Sequence, residues 1–257
     1  MNRLNTLFAT KSHRILNIYF TAGYPGLHDT IPIINGLSNA GVDLIEIGMP
    51  YSDPLADGTT IQASSQVALK NGMSLNLLFE QIAEARLSTE MPFILMGYFN
   101  QVMQYGEERF IQKAKESGVD GLILPDLPVE EYQLHYEAMF KKHDMHITFL
   151  ITPQTPDNRI RHIDALSNSF IYMVSSNAIT GAKSGIDTQQ QAYFKRIEGM
   201  NLNNPCLIGF GISNKETFDQ ACIHAQGAII GSAFINALTT AEDQDQTIKD
   251  FVHSIKN

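Results

Sequence analysis

Cysteine is nearly absent from this chain of 257 residues. Cys206 and Cys222 are its only two, in apolar or helical surroundings without a CxxC or Cys/His ligand spacing, so neither a disulfide framework nor a zinc site is expected. Positive charge is scarce as well: 18 Lys and Arg stand against 27 Asp and Glu, a formal net charge of −9, and the basic residues are scattered. That leaves no basic field for a phosphate backbone and argues against a nucleic-acid partner. Apolar runs of about eighteen residues are missing, so no membrane-spanning helix is predicted. The start, Met1 to Phe8, lacks the apolar core and cleavage site of a signal peptide and reads as a short amphipathic helix. A soluble, cytoplasmic protein is expected. No histidine stands in a Ser/His/Asp or HExxH pattern, which removes support for serine-triad or zinc-hydrolase chemistry, and the eight histidines read as surface and helix residues. Low-complexity segments, Pro-rich linkers and breaks in composition are also lacking, so residues 1–257 are expected to form one domain.

What the chain does have is a regular alternation. Short apolar, β-branched or aromatic runs are separated by longer amphipathic stretches from beginning to end, the pattern of consecutive βα units around a parallel sheet. Eight strands are predicted: Leu16 to Thr21, Leu44 to Met49, Phe93 to Tyr98, Gly121 to Pro125, Ile147 to Ile151, Phe170 to Ser175, Cys206 to Gly209 and Ala228 to Gly231. Helices are predicted between them, for example over Leu75 to Leu87, Glu107 to Ser117, Val129 to Lys142 and Lys215 to His224. The fold class is therefore α/β, a single (βα)8 TIM barrel with an extra N-terminal helix. Two connections are unusually long, Pro50 to Ile61 after strand two and Ser176 to Thr188 after strand six, and long βα loops are where barrels carry their chemistry.

Alternation along a barrel strand sends successive side chains inward and outward. In strand one this turns Asn17, Tyr19 and Thr21 to the interior, and in strand two Leu44, Glu46 and Gly48. Glu46 is thereby an interior carboxylate near the C-terminal mouth, a position that raises its pKa unless a partner compensates. The loop that follows adds Asp53 and Asp57. Turn formation by Asp-Pro and Asp-Gly is the plainer account of both, and for Asp53 a structural or interface role comes first. Asp57 and Glu46, one near solvent and one dry, can divide acid and base roles. Near the end of the chain, Gly209 to Ser213 follows strand seven and Gly231-Ser232 follows strand eight, each with a helix predicted after it. This pair suits a phosphate held by backbone N–H groups, with the Ser232 hydroxyl adding a donor and Thr180-Gly181 closing over it. Tyr19, Met96, Tyr98, Ile123 and Tyr172 can line a pocket for a flat ring, although each taken singly is as readily a core residue.

The run Glu46 to Gly58, EIGMPYSDPLADG, closely resembles the signature of the tryptophan synthase alpha chain family, and the resemblance extends over essentially the whole chain. It includes Phe20 to Pro25, Pro125 to Glu131, Ser175 to Gly181, Gly209 to Ser213 and Gly231-Ser232. The resemblance implies a lyase that splits indole-3-glycerol phosphate into indole and glyceraldehyde 3-phosphate, with no cofactor in this chain. By matching position it implies Glu46 and Asp57 as the catalytic pair and Thr180 in a closing loop. Gly181, Phe210, Gly211, Gly231 and Ser232 would form the phosphate site, with Tyr19, Met96, Tyr98, Ile123 and Tyr172 around the indole. It also implies a beta subunit partner carrying pyridoxal phosphate, in an α2β2 complex, touched by Asp53, Asn100, Asp126 and Pro128. Three positions depart from the family's pattern: Ser176 where many members have Arg, Ala178 where many have Gly, and Thr59 where Pro is common. The absence of tryptophan fits an enzyme made when that amino acid is scarce. Two other readings stay open at this point: a neighbouring reaction of the same pathway, which the Glu46 to Gly58 run argues against, and a non-catalytic barrel that binds and activates a beta subunit.

Overall fold

The computed structural model describes residues 2–55, 57–175, 188–209 and 211–257. Eight parallel strands close into a barrel in chain order: β1 (Ile15–Thr21), β2 (Leu44–Gly48), β3 (Phe93–Met96), β4 (Gly121–Ile123), β5 (His146–Ile151), β6 (Ile171–Val174), β7 (Cys206–Gly209) and β8 (Gly227–Ile230). β8 pairs back onto β1 through Ile15↔Gly227 and Ile18↔Ile230. Several strands stop one or two residues short of the sequence prediction. Met49 and Ser175 each still donate one backbone hydrogen bond across the barrel, to Met96 O at 2.8 Å and Gly209 O at 3.1 Å, so the pairing fades into the loops.

The alternation separates two apolar layers. Leu16, Ile18, Phe20, Ile45 and Ile47 join the large cluster between sheet and helices. Ile15, Leu44, Ile94, Ile123, Phe170 and Tyr172 are among those that fill the barrel itself. The N-terminal helix, Arg3–Thr10, closes the base of this inner core. Its Leu4 is fully buried, and Phe8 packs against Phe170 with ring centroids 5.9 Å apart. Asn2 caps the helix by accepting from Leu4 N, and its amide donates to the carbonyls of Asp120 and Asp144 at 2.9 and 3.1 Å.

Two expectations about local structure are corrected. The segment Val129 to Lys142 is not one α-helix but two short pieces around a π-helical turn, Tyr132–Tyr136. The wider turn re-phases the helix so that Tyr132 and Phe140 both face the core, edge to face at 5.1 Å. The loop after β2 is shorter than expected because a helix, Thr59–Lys70, already begins at Thr59, the first helical position, where proline is also favoured. His146 is likewise not a surface residue: it lies on β5, buried, and desolvation lowers its pKa. Both cysteines are buried free thiols. No described helix is long and apolar enough to cross a membrane, and no cluster of potential metal ligands occurs among the described residues.

Candidate active site

Pairing of β1 with β2 sets Tyr19 beside Glu46 and Thr21 beside Gly48. Glu46 has no solvent exposure. Its Oε1 accepts a 2.5 Å hydrogen bond from Asn17 Nδ2, while Oε2 has no hydrogen-bond partner among the described residues. Burial pushes the carboxyl from its ordinary 4.5 up to about 8, and the Asn17 bond opposes only part of that rise. At neutral pH Glu46 is mostly a carboxylic acid.

Asp57 stands on the loop after β2, half-buried. The loop is pinned from the following helix: Gln62 Nε2 donates to Asp57 O at 2.8 Å, and Asp57 N donates to Pro54 O at 3.1 Å. Asp57 Oδ2 accepts from the Tyr98 hydroxyl at 3.2 Å. Burial raises its pKa to about 6, opposed by that bond, so Asp57 is mostly ionised at neutral pH. Tyr98 is itself stacked on Tyr51, centroids 5.1 Å apart, and the Tyr51 hydroxyl accepts from Asn100 Nδ2 at 3.0 Å.

Two tyrosine rings lean over the adjacent strand because the residues they face there are glycines. A Cβ at Gly48 would collide with the Tyr19 hydroxyl, and one at Gly209 with the Tyr172 ring. Both phenols are buried, which chiefly raises their pKa values; each is raised further by the charges of both Asp57 and Glu46. Both carboxyls therefore lie within electrostatic reach of the same two tyrosines. Met96, half-buried, pairs with Gly48 on one side and Ile123 on the other, and both belong to the interior cluster with Tyr172. Tyr19 and Tyr172 thus lie within electrostatic reach of both carboxyls and Tyr98 bonds Asp57, while Met96 and Ile123 follow on the adjoining strands.

The elements expected to hold a phosphate lie on the neighbouring arc. Gly211 has φ +77°, with open space where a side chain would stand. The helix after it, Lys215–His224, is closed by a capping box between Asn214 and Thr217. The helix after β8, Ser232–Thr239, has Gly231 at its N-cap and no side-chain cap, leaving its first N–H groups for an anion beside the exposed Ser232. Phe210, Thr180 and Gly181, as well as Ser176 and Ala178, lie outside the described residues.

The four residues expected at a partner interface ring the same mouth. Asp53 is exposed and accepts from Ser52 Oγ, Asn100 is exposed, Asp126 is exposed and accepts from Phe99 N at 2.8 Å, and Pro128 is exposed at the start of the next helix. Nearby, Leu55 is 87% exposed and Met103 52%, apolar surface that residue-by-residue reading of the loops did not single out. Asn17, Tyr51 and Gln62 were missed as site residues. Asn17 was legible as an inward neighbour of Glu46, but nothing in the sequence showed Tyr51 stacking on Tyr98.

Comparison with known proteins agrees with this fold. The family described as tryptophan synthase alpha chain matches residues 7–257. The chain is 56% identical to the tryptophan synthase alpha chain of Flavobacterium psychrophilum, over 99% of this chain and all of the other, and 52% identical to that of Christiangramia forsetii, over 100% and 99%. Among solved structures it resembles tryptophan synthase subunit alpha from Legionella pneumophila, with TM-score 0.89 and 30% identity over 99% and 97% of the two chains. It also resembles a chain of the tryptophan synthase complex from Pyrococcus furiosus, with TM-score 0.85 and 31% identity over 93% and 96%. With a closed barrel, an interior acid and a full-length match in hand, the chain belongs to the tryptophan synthase alpha chain family.

Proposed function

We propose that this chain, working as one catalytic barrel in the cytoplasm, cleaves indole-3-glycerol phosphate to indole and glyceraldehyde 3-phosphate, with Glu46 as the acid–base group and Asp57 as the anion that holds the ring N–H. The bond to be broken joins indole C3 to the first glycerol carbon. It breaks once C3 is protonated, because the ring then accepts the bonding electrons while the adjacent hydroxyl gives up its proton and becomes the aldehyde. Glu46, protonated at neutral pH, supplies the proton to C3 and recovers one from the hydroxyl, so it ends as it began. Asp57, ionised, accepts a hydrogen bond from the ring N–H and stabilises the positive charge that protonation places there. No net proton or electron is consumed, and two carboxylates suffice for the chemistry in this chain.

The tyrosines, Met96 and Ile123 would hold the ring, and the phosphate would rest on the backbone at Gly211 and Gly231 with the Ser232 hydroxyl. Phe210 and Gly181 would complete that site, and Thr180 would belong to the closing loop. The rim residues Asp53, Asn100, Asp126 and Pro128 would meet a beta subunit in an α2β2 assembly, with pyridoxal phosphate on the partner. The observation that carries the reading is a wholly buried Glu46 with one oxygen lacking a hydrogen-bond partner among the described residues, sharing its electrostatic surroundings with Asp57.

Purified protein incubated with indole-3-glycerol phosphate should release glyceraldehyde 3-phosphate, faster with a beta subunit present. Stimulation of the beta subunit with no release in either mixture would instead establish the non-catalytic barrel.

A further inference from the structure

The contact between Asn17 and Glu46 is short, 2.5 Å, and joins two side chains with no exposure. It is also incomplete. Asn17 Oδ1 and Glu46 Oε2 are both without hydrogen-bond partners among the described residues. A carboxylic acid has one oxygen that carries the proton and one that is a bare carbonyl. The carbonyl oxygen of an acid is the better acceptor of the two, so the Asn17 amide N–H at 2.5 Å from Oε1 favours the proton on Oε2.

We propose that Asn17 is a positioning residue that biases the mobile proton of Glu46 to Oε2, the oxygen without a described partner, and steadies the carboxylate left behind after donation. The proposal rests on Glu46 being the acid that protonates the indole. Other groups around this carboxyl do not supply the same constraint. On β1 the inward neighbour is Tyr19, whose hydroxyl is bonded to Thr21; on β3 Ile94 and Met96 are apolar. Glu46 and Asp57 both act through charge on Tyr172, whereas the pKa of Glu46 itself is governed by burial and Asn17. The Asn17 amide is the sole described donor to it. Losing that donor therefore destabilises the anion without replacing it, so Glu46 becomes a weaker acid whose proton is shared between two oxygens.

The test compares wild type, Asn17→Leu and Glu46→Gln, each checked for folding by circular dichroism. Asn17→Leu keeps the volume of the side chain and removes the donor. It should lower kcat by about ten- to a hundredfold, the size expected for a hydrogen bond to a charged group. KM should change little, and the alkaline limb of the pH profile should move up by about one unit. An unchanged limb, or a loss confined to KM, overturns the proposal by showing that Asn17 only packs.

Infrared spectroscopy of the wild-type protein gives an answer that does not depend on the variant folding. The Glu46 carbonyl band, identified by its loss in Glu46→Gln, should lie at the frequency of a hydrogen-bonded acid; a free-carbonyl frequency overturns the assignment. Inactive Glu46→Gln beside an unaltered Asn17→Leu removes this proposal alone, whereas full turnover in Glu46→Gln removes the acid reading and this proposal with it.

Discussion

At the base of the barrel Asp120 is 1% exposed, and at the mouth Glu46 is 0% exposed, yet their surroundings are opposite. Asp120 Oδ1 accepts from Arg3 at 3.2 Å, and Oδ2 accepts from Arg86 at 3.2 Å and from Phe93 N at 2.9 Å. Arg86 is in turn held by the carbonyls of Gly118, Thr89 and Met91 and lies 3.4 Å over the Phe93 ring. Glu46 has one neutral donor and an oxygen with no described partner. A buried carboxylate surrounded by cations and N–H groups ties elements together. One left under-compensated takes up a proton, and a proton that can be given away is what a reaction needs. Burial alone does not distinguish the two acids; the count and charge of their donors do.

The comparison is broken most strongly at Glu46. Glu46→Gln should lower turnover of indole-3-glycerol phosphate by roughly 10²–10⁴ in a steady-state assay, with the fold kept. The same change should alter how stability depends on pH. Because the folded pKa, about 8, exceeds the ordinary 4.5, the folded protein holds a proton that the unfolded chain releases between those values. The contribution of Glu46 to stability is thus fully present below the lower value and is lost as pH rises through the upper one. Glutamine removes that slope, so denaturant unfolding on either side of the window should show the variant gaining on wild type at alkaline pH by on the order of a few kcal/mol.

Asp120→Ala is the converse test. It leaves Arg86 buried without its anion and should cost about 3–5 kcal/mol in denaturant unfolding, while turnover per folded molecule stays at the wild-type level. A loss of turnover with stability unchanged would erase the distinction between the two ends. Asp57→Asn is expected to be milder than the Glu46 change, about a 10² loss in kcat, and should abolish the acid limb near pH 6. The smallest effect belongs to Gly209→Ala. A methyl group there displaces the Tyr172 ring, and kcat/KM should fall on the order of tenfold, measured with and without a beta subunit.

Much of this was legible in the sequence because it depends on period. Alternation in β1 and β2 turns Asn17, Tyr19 and Glu46 inward, and the desolvated acid follows from that placement. The eight strands and the N-terminal helix were also readable. What escaped depends on contacts between distant segments. Tyr51 on Tyr98 joins two loops, the π turn at Tyr132–Tyr136 answers to packing against Phe140 and Phe149, and the early helix at Thr59 competes with a loop of similar composition. The salt-bridged Asp120 sits just before a strand, where neither spacing nor charge pattern announces Arg3 or Arg86 as partners.

The division of labour between the two mouth carboxylates is tested most directly by the pH dependence of kcat/KM for indole-3-glycerol phosphate cleavage by the wild-type protein. A protonated Glu46 and an ionised Asp57 are both present only between their pKa values, so a bell with limbs near 6 and near 8 is expected. A rate that stays level through both values, or that keeps climbing above the higher one, would contradict a neutral Glu46 as the proton donor.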